Sequence, residues 1–245
     1  MSTWIRAATP DDFERIGEIG AEGGSADTDQ RYLLFVAAAG RLLVAEEGGQ
    51  PVGFGGVVPA GGVAMITDLF VTSSSRGRGL GGALLAELVS GWPQRMTCSS
   101  QQPAALSGYR RAGMVPRWRL LYLEGRAAGG DPPLQSAPWA HDRGDLVGFF
   151  AEGGAAVTAD VVVRRDRDGG ATVLRMQHSA PVDCMRATLA ALPTGVRVRT
   201  CVPERTPLAD WLVAEGFLTT DHDLFCSTDQ VAWPADLSCV HPGFA

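Results

Sequence analysis

The chain has 245 residues, 45% of them hydrophobic, and a formal net charge of −6. That describes an ordinary globular chain with room for one large domain or two small ones, and its acidic balance argues against a nucleic-acid binder, which would carry a basic footprint. All 21 basic residues are arginines, which excludes lysine Schiff-base or lysine-nucleophile chemistry.

From the N-terminus, residues 3–6 predict a short strand. Thr9-Pro10-Asp11-Asp12 opens a helix running to about Gly20. Thr9 suits the N-cap, Pro10 the first helical position, and the two acids favour the positive end of the helix dipole. A Gly-, Ser- and Asp-rich stretch, 22–28, precedes a second predicted helix over 29–39. Residues 41–46 and 52–58 read as hairpin strands around Glu47-Gly48-Gly49-Gln50-Pro51. Acids come early and no apolar run has the length of a signal core or a membrane span, so a cytoplasmic location is expected. The five cysteines are widely spaced without a CxxC pair, which predicts free thiols and neither a zinc site nor a disulfide framework. The Ala-, Gly- and Arg-rich, lysine-free composition suggests a GC-rich bacterial genome.

The stretch from Ala64 to Ser90 organises the chain. Met65 to Val71 is a run of β-formers, while Leu80, Leu84, Leu85, Leu88 and Val89 recur at helical spacing. The loop between them reads TSSSRGRGLGG. Gly77, Gly79, Gly81 and Gly82 leave backbone N–H groups open to an anion at a helix N-terminus, where the macrodipole also favours negative charge. Arg76 and Arg78 add positive charge. The residues formally satisfy the dinucleotide pattern GxGxxG, which expects its first glycine directly off the strand and an acid about twenty residues later. Here Thr72 to Ser75 intervene, and the next strand, 95–99, carries no acid. The dinucleotide reading therefore fails on context.

The pattern Arg/Gln-x-x-Gly-x-Gly/Ala is met by Arg76, Gly79 and Gly81. Over LFVTSSSRGRGLGGALL the chain resembles the GNAT superfamily, the GCN5-related N-acetyltransferases. Strand, two helices, three antiparallel strands, Gly-rich loop and helix is that family's order, so the resemblance covers residues 1 to 125. It implies an α/β (mixed α+β) fold, a mostly antiparallel central sheet flanked by helices. It also implies acetyl-CoA as co-substrate and no metal. Its pyrophosphate would lie on the backbone of Arg76, Gly77, Arg78, Gly79, Leu80, Gly81 and Gly82, and its pantetheine arm along Phe70, Val71 and Thr72.

A strand over 95–99 and a helix from Pro103 to Ala112 come next, ended by Gly113. The spacing Ala105-x-x-x-Tyr109-x-x-x-Gly113-Met114 resembles the second GNAT signature. It implies that Tyr109 protonates the departing thiolate, which suits a phenol with a pKa of about 10. Tyr109 reads alternatively as a core residue with its hydroxyl satisfied elsewhere. Gln102 matches the family's frequent Asn at this helix start and is grouped with the cofactor residues. An amine must also lose a proton, and Thr97 stands where some relatives carry a glutamate. Asp68 is the nearest carboxylate, read equally as a base and as a strand carboxylate held by backbone or arginine. Glu46 and the Asp27/Asp29 pair are weaker candidates, and a water-mediated route is open.

Residues 117–123 read as a closing strand and 125–136 as a linker. Beyond it come strands over 156–164 and 172–177, a helix over 182–192, a strand over 196–201, and a helix from Thr206-Pro207 to Gly216. Thr97 precedes Gly113 by the interval that separates Thr200 from Gly216, an internal repeat. The second copy has Gln177-His178-Ser179-Ala180-Pro181 in place of the Gly-rich loop, and Leu212 in place of Tyr109. The expected organisation is a catalytic domain over 1–125, a linker over 126–138 and a degenerate GNAT-like domain over 139–245. His141, beside Trp139, reads as a solvated or core residue or as one entering an acceptor cleft. The resemblance thus implies acetyl transfer to an amine of a small molecule, with no nucleic-acid or membrane partner. The alternatives are a silent acyl-CoA-binding regulatory module and a protein N-terminal acetyltransferase.

Overall fold

Caps and apolar runs set the elements of a first unit, Met1–Pro116 with Cys226–Val231, in a computed structural model that describes residues 3–24, 29–130, 132–229 and 231–244. Its elements are β1 (Thr3–Ala7), α1 (Phe13–Glu22), α2 (Gln30–Ala39), β2 (Arg41–Glu47), β3 (Gln50–Ala60), β4 (Val63–Val71), α3 (Leu80–Leu88), β5 (Arg95–Ser99) and α4 (Pro103–Arg111). The strands lie in the order β1-β2-β3-β4-β5. The first three pairings are antiparallel and β4–β5 is parallel, because α3 carries the chain back across the sheet. Asp29 caps α2 by accepting the Tyr32 N–H at 2.8 Å. The helices bury Ile16, Ile19, Leu33, Val36, Leu84 and Leu88, with α2 and α3 on opposite faces of β3: Val36 lies against the Gly56 position, while Leu84 and Leu88 lie against Gly53 and Gly55.

The strand β4 is irregular in two places. Gly56 pairs with Asp68 but Val57 pairs with Ile66, so Thr67 is an extra, bulged residue. The parallel pairing with β5 ends at Ile66↔Thr97, while β4 continues to Val71. Thr97 pins that last pair, its hydroxyl donating to the Ile66 carbonyl at 3.0 Å.

The second unit comprises Arg117–Phe225 with Ala232–Ala245. Its elements are β6 (Val115–Arg126), α5 (Gly144–Glu152), β7 (Ala156–Val157), β8 (Val161–Arg165), β9 (Ala171–Gln177), α6 (Pro181–Ala190), β10 (Arg197–Pro203), α7 (Pro207–Ala214), β11 (Leu218–Ser227) and β12 (Leu237–Val240). The strand order is β7-β8-β9-β10-β6-β11, with β12 on β9. The repeat read from the sequence has a backbone counterpart. β9 and β10 are parallel and their pairing ends at Val173↔Thr200. Val162 pairs with Arg175 and Val163 with Val173, so Leu174 is bulged as Thr67 is. The helix ends match too, with Gly113 and Gly216 both left-handed after α4 and α7.

The units do not divide where the sequence reading placed the boundary. β6, expected to close a 1–125 domain, pairs antiparallel with β10 from Leu120↔Pro203 to Arg126↔Arg197, so the division falls after Pro116. The 126–138 stretch, expected as a linker, is fastened within the second unit. Ala127 N–H donates to the Val196 carbonyl at 2.8 Å and Ala137 N–H to the Val157 carbonyl at 3.1 Å. Among the described residues no helix is long and apolar enough to cross a membrane.

Candidate active site

The end of β4 presents a backbone edge that β5 no longer covers. Thr72 N–H donates to the Val52 carbonyl on the β3 side at 2.9 Å. Strand alternation therefore turns the Val71 N–H and C=O to the opposite edge, where β5 has diverged. There Arg76 Nε donates to the Val71 carbonyl at 3.1 Å. The Phe70 and Thr72 side chains serve packing instead. The Phe70 ring stacks on Phe54 at 5.5 Å, and Thr72 is buried. Gly23 lets the end of α1 approach this strand: a Cβ there would stand 2.2 Å from Phe70 Cδ1.

After β4 a single 3-10 turn, Ser73–Ser75, leads into the glycine loop. Glu22, at the end of α1, accepts the Ser73 N–H at 2.7 Å, and hydrogen bonding from Ser73 holds its carboxyl below the usual range. Gly77 (φ +76°) and Gly79 (φ +84°) adopt the left-handed conformation, which side-chain-bearing residues disfavour. A Cβ on either would face open space. From Gly77 to Gly82 no backbone N–H donates to an acceptor among the described residues. The loop thus offers a run of free amides at the start of α3, where the helix dipole adds positive potential. Leu80 is buried and can contribute only backbone.

The two loop arginines are not equivalent. Arg78 is ion-paired to Glu47 at 2.6 Å, so its charge is largely matched within the chain. Arg76 packs along the Val71 carbonyl, which leaves it the loop cation nearest the β4 edge. Glu47 carried no signal in the sequence, where it belongs to a hairpin turn.

The carboxylate candidates separate by environment. Asp68, directly after the bulge, is buried, and the Tyr32 hydroxyl donates to its Oδ2. Tyr32 is set by the first turn of α2, and sequence reasoning missed it. Thr67 Oγ1 is buried and has no partner among the described residues. Asp29 is used as a helix cap. Glu46 accepts Arg6 Nε at 2.8 Å within an Arg6–Asp12–Glu46 cluster. Neither is an open carboxylate, and Asp27 lies outside the described residues. Tyr109 is buried on α4 and its carbonyl accepts the Met114 N–H at 2.9 Å. Gln102 occupies the N-cap of α4 and makes no side-chain cap bond. His141 belongs to the second unit, where its Nε2 lies 2.8 Å from Asp160 Oδ1 and its ring meets Trp139 edge-on.

Residues 38–115 match the family model of the acetyltransferase (GNAT) domain. Over 125 residues, 48% of this chain and 41% of the relative, the chain is 32% identical to a mycothiol acetyltransferase of Rhodococcus opacus (strain B4). The match therefore spans about two fifths of that curated relative's length. A crystal structure of a candidate acetyltransferase from Pyrococcus horikoshii superposes with a TM-score of 0.77 at 17% identity, covering 99% of this chain and 96% of that one. A GCN5-related N-acetyltransferase from Anabaena variabilis gives 0.55 at 14% identity over 92% and 72%. At these identities the superpositions establish the fold.

Proposed function

We propose that this chain, whose residues 38–115 match the family model of the acetyltransferase (GNAT) domain, is an acetyl-CoA-dependent N-acetyltransferase acting on an amine of a small molecule. The observation that carries this reading is the run of uncommitted amides from Gly77 to Gly82 beside the uncovered end of β4. Those amides, with the dipole of α3, hold the pyrophosphate. The freed edge at Val71, between Phe70 and Thr72, lies along the pantetheine arm. When bound, acetyl-CoA supplies an activated acyl thioester.

The chain's own residues then act on the reacting groups. The Val71 N–H faces the uncovered edge and donates to the oxygen on which negative charge develops. Asp68, held by the Tyr32 hydroxyl, receives the first proton of the incoming ammonium; after attack Tyr109 gives a proton to the departing thiolate and the nitrogen sheds its second proton, which restores the phenol. Closeness of amine and thioester supplies much of the rate. The relative named for mycothiol acetylation supports a small-molecule acceptor over a protein N-terminus.

Titration calorimetry with acetyl-CoA, with NADH as control, tests the reading. Binding abolished by Gly79→Glu supports it, because a carboxylate then enters the cradle. Absence of acetyl-CoA binding, or binding of NADH instead, overturns it. One observation favours a second reading, an acyl-CoA-binding module without turnover: Thr97 stands where a base is expected on β5 and spends its hydroxyl on the Ile66 carbonyl. Acceptor-dependent CoA release in an amine screen rejects that reading.

A further inference from the structure

The matched bulges set Asp68 of the first unit and Arg175 of the second in the same structural place, each directly after the extra residue. The charge is inverted between them, and so is the state of the side chain. Arg175 is only 3% exposed, yet its Nε and Nη1 are buried with no acceptor among the described residues. Its remaining nitrogen, Nη2, reaches Gln177 Oε1 at 3.5 Å and lies 3.9 Å from Asp142 Oδ1, both long contacts. Burial, reinforced by the like charge of Arg143, pushes this guanidinium down to about 10. The neighbouring acids are engaged elsewhere: Asp145 pairs with Arg143, and Asp236 accepts from Gln177. A buried guanidinium short of acceptors is destabilising unless oxygens from outside the chain complete it.

We propose that Arg175 anchors a carboxylate-binding site in the second unit, built where the first unit holds Asp68. The ligand class is set by charge and shape. A planar monoanion matches the guanidinium edge, whereas the nearby Asp142, Asp145 and Asp236 would repel a phosphate dianion more strongly. The site is independent of the acetyl-CoA reading, because no first-unit residue takes part in it.

The test uses the full chain carrying Gly79→Glu, so that the first-unit loop cannot bind the probe anion. Thermal unfolding is followed as acetate replaces perchlorate at constant ionic strength. A saturable rise of roughly 5 °C at a hundredfold excess over Kd is expected. Arg175→Met should abolish it and Arg175→Lys weaken it. If Arg175→Met does not fold, ¹⁹F line broadening of trifluoroacetate is compared between the parent and Arg175→Lys, and the parent should broaden it more. No acetate dependence, an equal response in Arg175→Met, or equal broadening in Arg175→Lys overturns the proposal. A response to phosphate but not to acetate overturns the carboxylate assignment.

Discussion

Gly79 and Gly82 stand at the start of one helix and should answer alanine in opposite directions. A Cβ at either position meets open space, so room does not decide the outcome. Gly79 has φ +84°, and alanine there costs about 1 kcal/mol. Gly82 lies inside α3, where alanine gains roughly 0.5–1 kcal/mol through helix propensity and a less flexible unfolded chain. Urea unfolding midpoints of Gly79→Ala and Gly82→Ala should therefore move apart from that of the parent, the first down and the second up. Tyr32 supplies the second test at this scale. Tyr32→Phe removes a donor from the buried Asp68 carboxylate and should lower stability by about 1–2 kcal/mol. If Asp68 takes the ammonium proton, the same change lowers kcat more than it raises KM and shifts the acidic limb of the pH–rate profile. A change in stability with an unaltered pH profile would leave Asp68 a structural carboxylate. The glycine loop was legible from sequence because its conformational demands are local. The Tyr32–Asp68 bond was not, since it joins residues 36 positions apart through the orientation of α2.

At the scale of elements, a single carboxylate ties β1 to the start of α1. Asp12 accepts both Arg6 Nη atoms at 2.7 and 2.8 Å, together with the Thr9 N–H and hydroxyl at 2.8 and 3.1 Å. These donors, Arg6 foremost, draw its pKa down to about 2. A depressed carboxylate contributes stability in full above its unfolded value near 4, and that contribution disappears as pH falls toward 2. Because Arg6 is more than a third exposed, solvent screening reduces the expected contribution to about 1–2 kcal/mol. Asp12→Asn should show that deficit in urea unfolding at pH 7, and the two curves should converge as pH approaches 2. A constant gap across that range would mean that packing, not charge, is lost. The helix carrying this cluster was readable because Thr9, Pro10 and the two acids after them are local signals. By contrast α5 begins at a left-handed Arg143 and contains two glycines, so neither its start nor its interior carries an ordinary helix signal. The four-residue β12 is defined by its partner β9, and the unit to which β6 belongs is hidden for a related reason: which strand it pairs with is not written in its own residues.

At the scale of the whole molecule, the two repeats differ in what becomes of the strand edge beyond the bulge. In the first, β4 runs past its last pairing with β5 and leaves the Val71 edge to a ligand on the proposed reading. In the second, the corresponding stretch of β9 is taken by the chain itself, since β12 pairs Leu237 with Gln177, Cys239 with Met176 and Val240 with Arg175. The loop after β9 is committed in the same way. His178 N–H donates to the Asp236 carbonyl at 2.9 Å, Ala180 N–H donates to His178 Nδ1 at 2.9 Å, and Pro181 has no N–H to offer. On the reading of the second unit as a degenerate copy, the free edge is gone and the His178 and Ala180 amides are spent, beyond the loss of glycine that the sequence already displayed. Calorimetry should then give one acetyl-CoA per chain, with the signal lost entirely rather than halved in Gly79→Glu. A stoichiometry of two, or a half-sized signal surviving that substitution, would require β12 to leave β9 when acetyl-CoA binds. The C-terminal strand would then act as a displaceable competitor for the second site, and not as its permanent replacement.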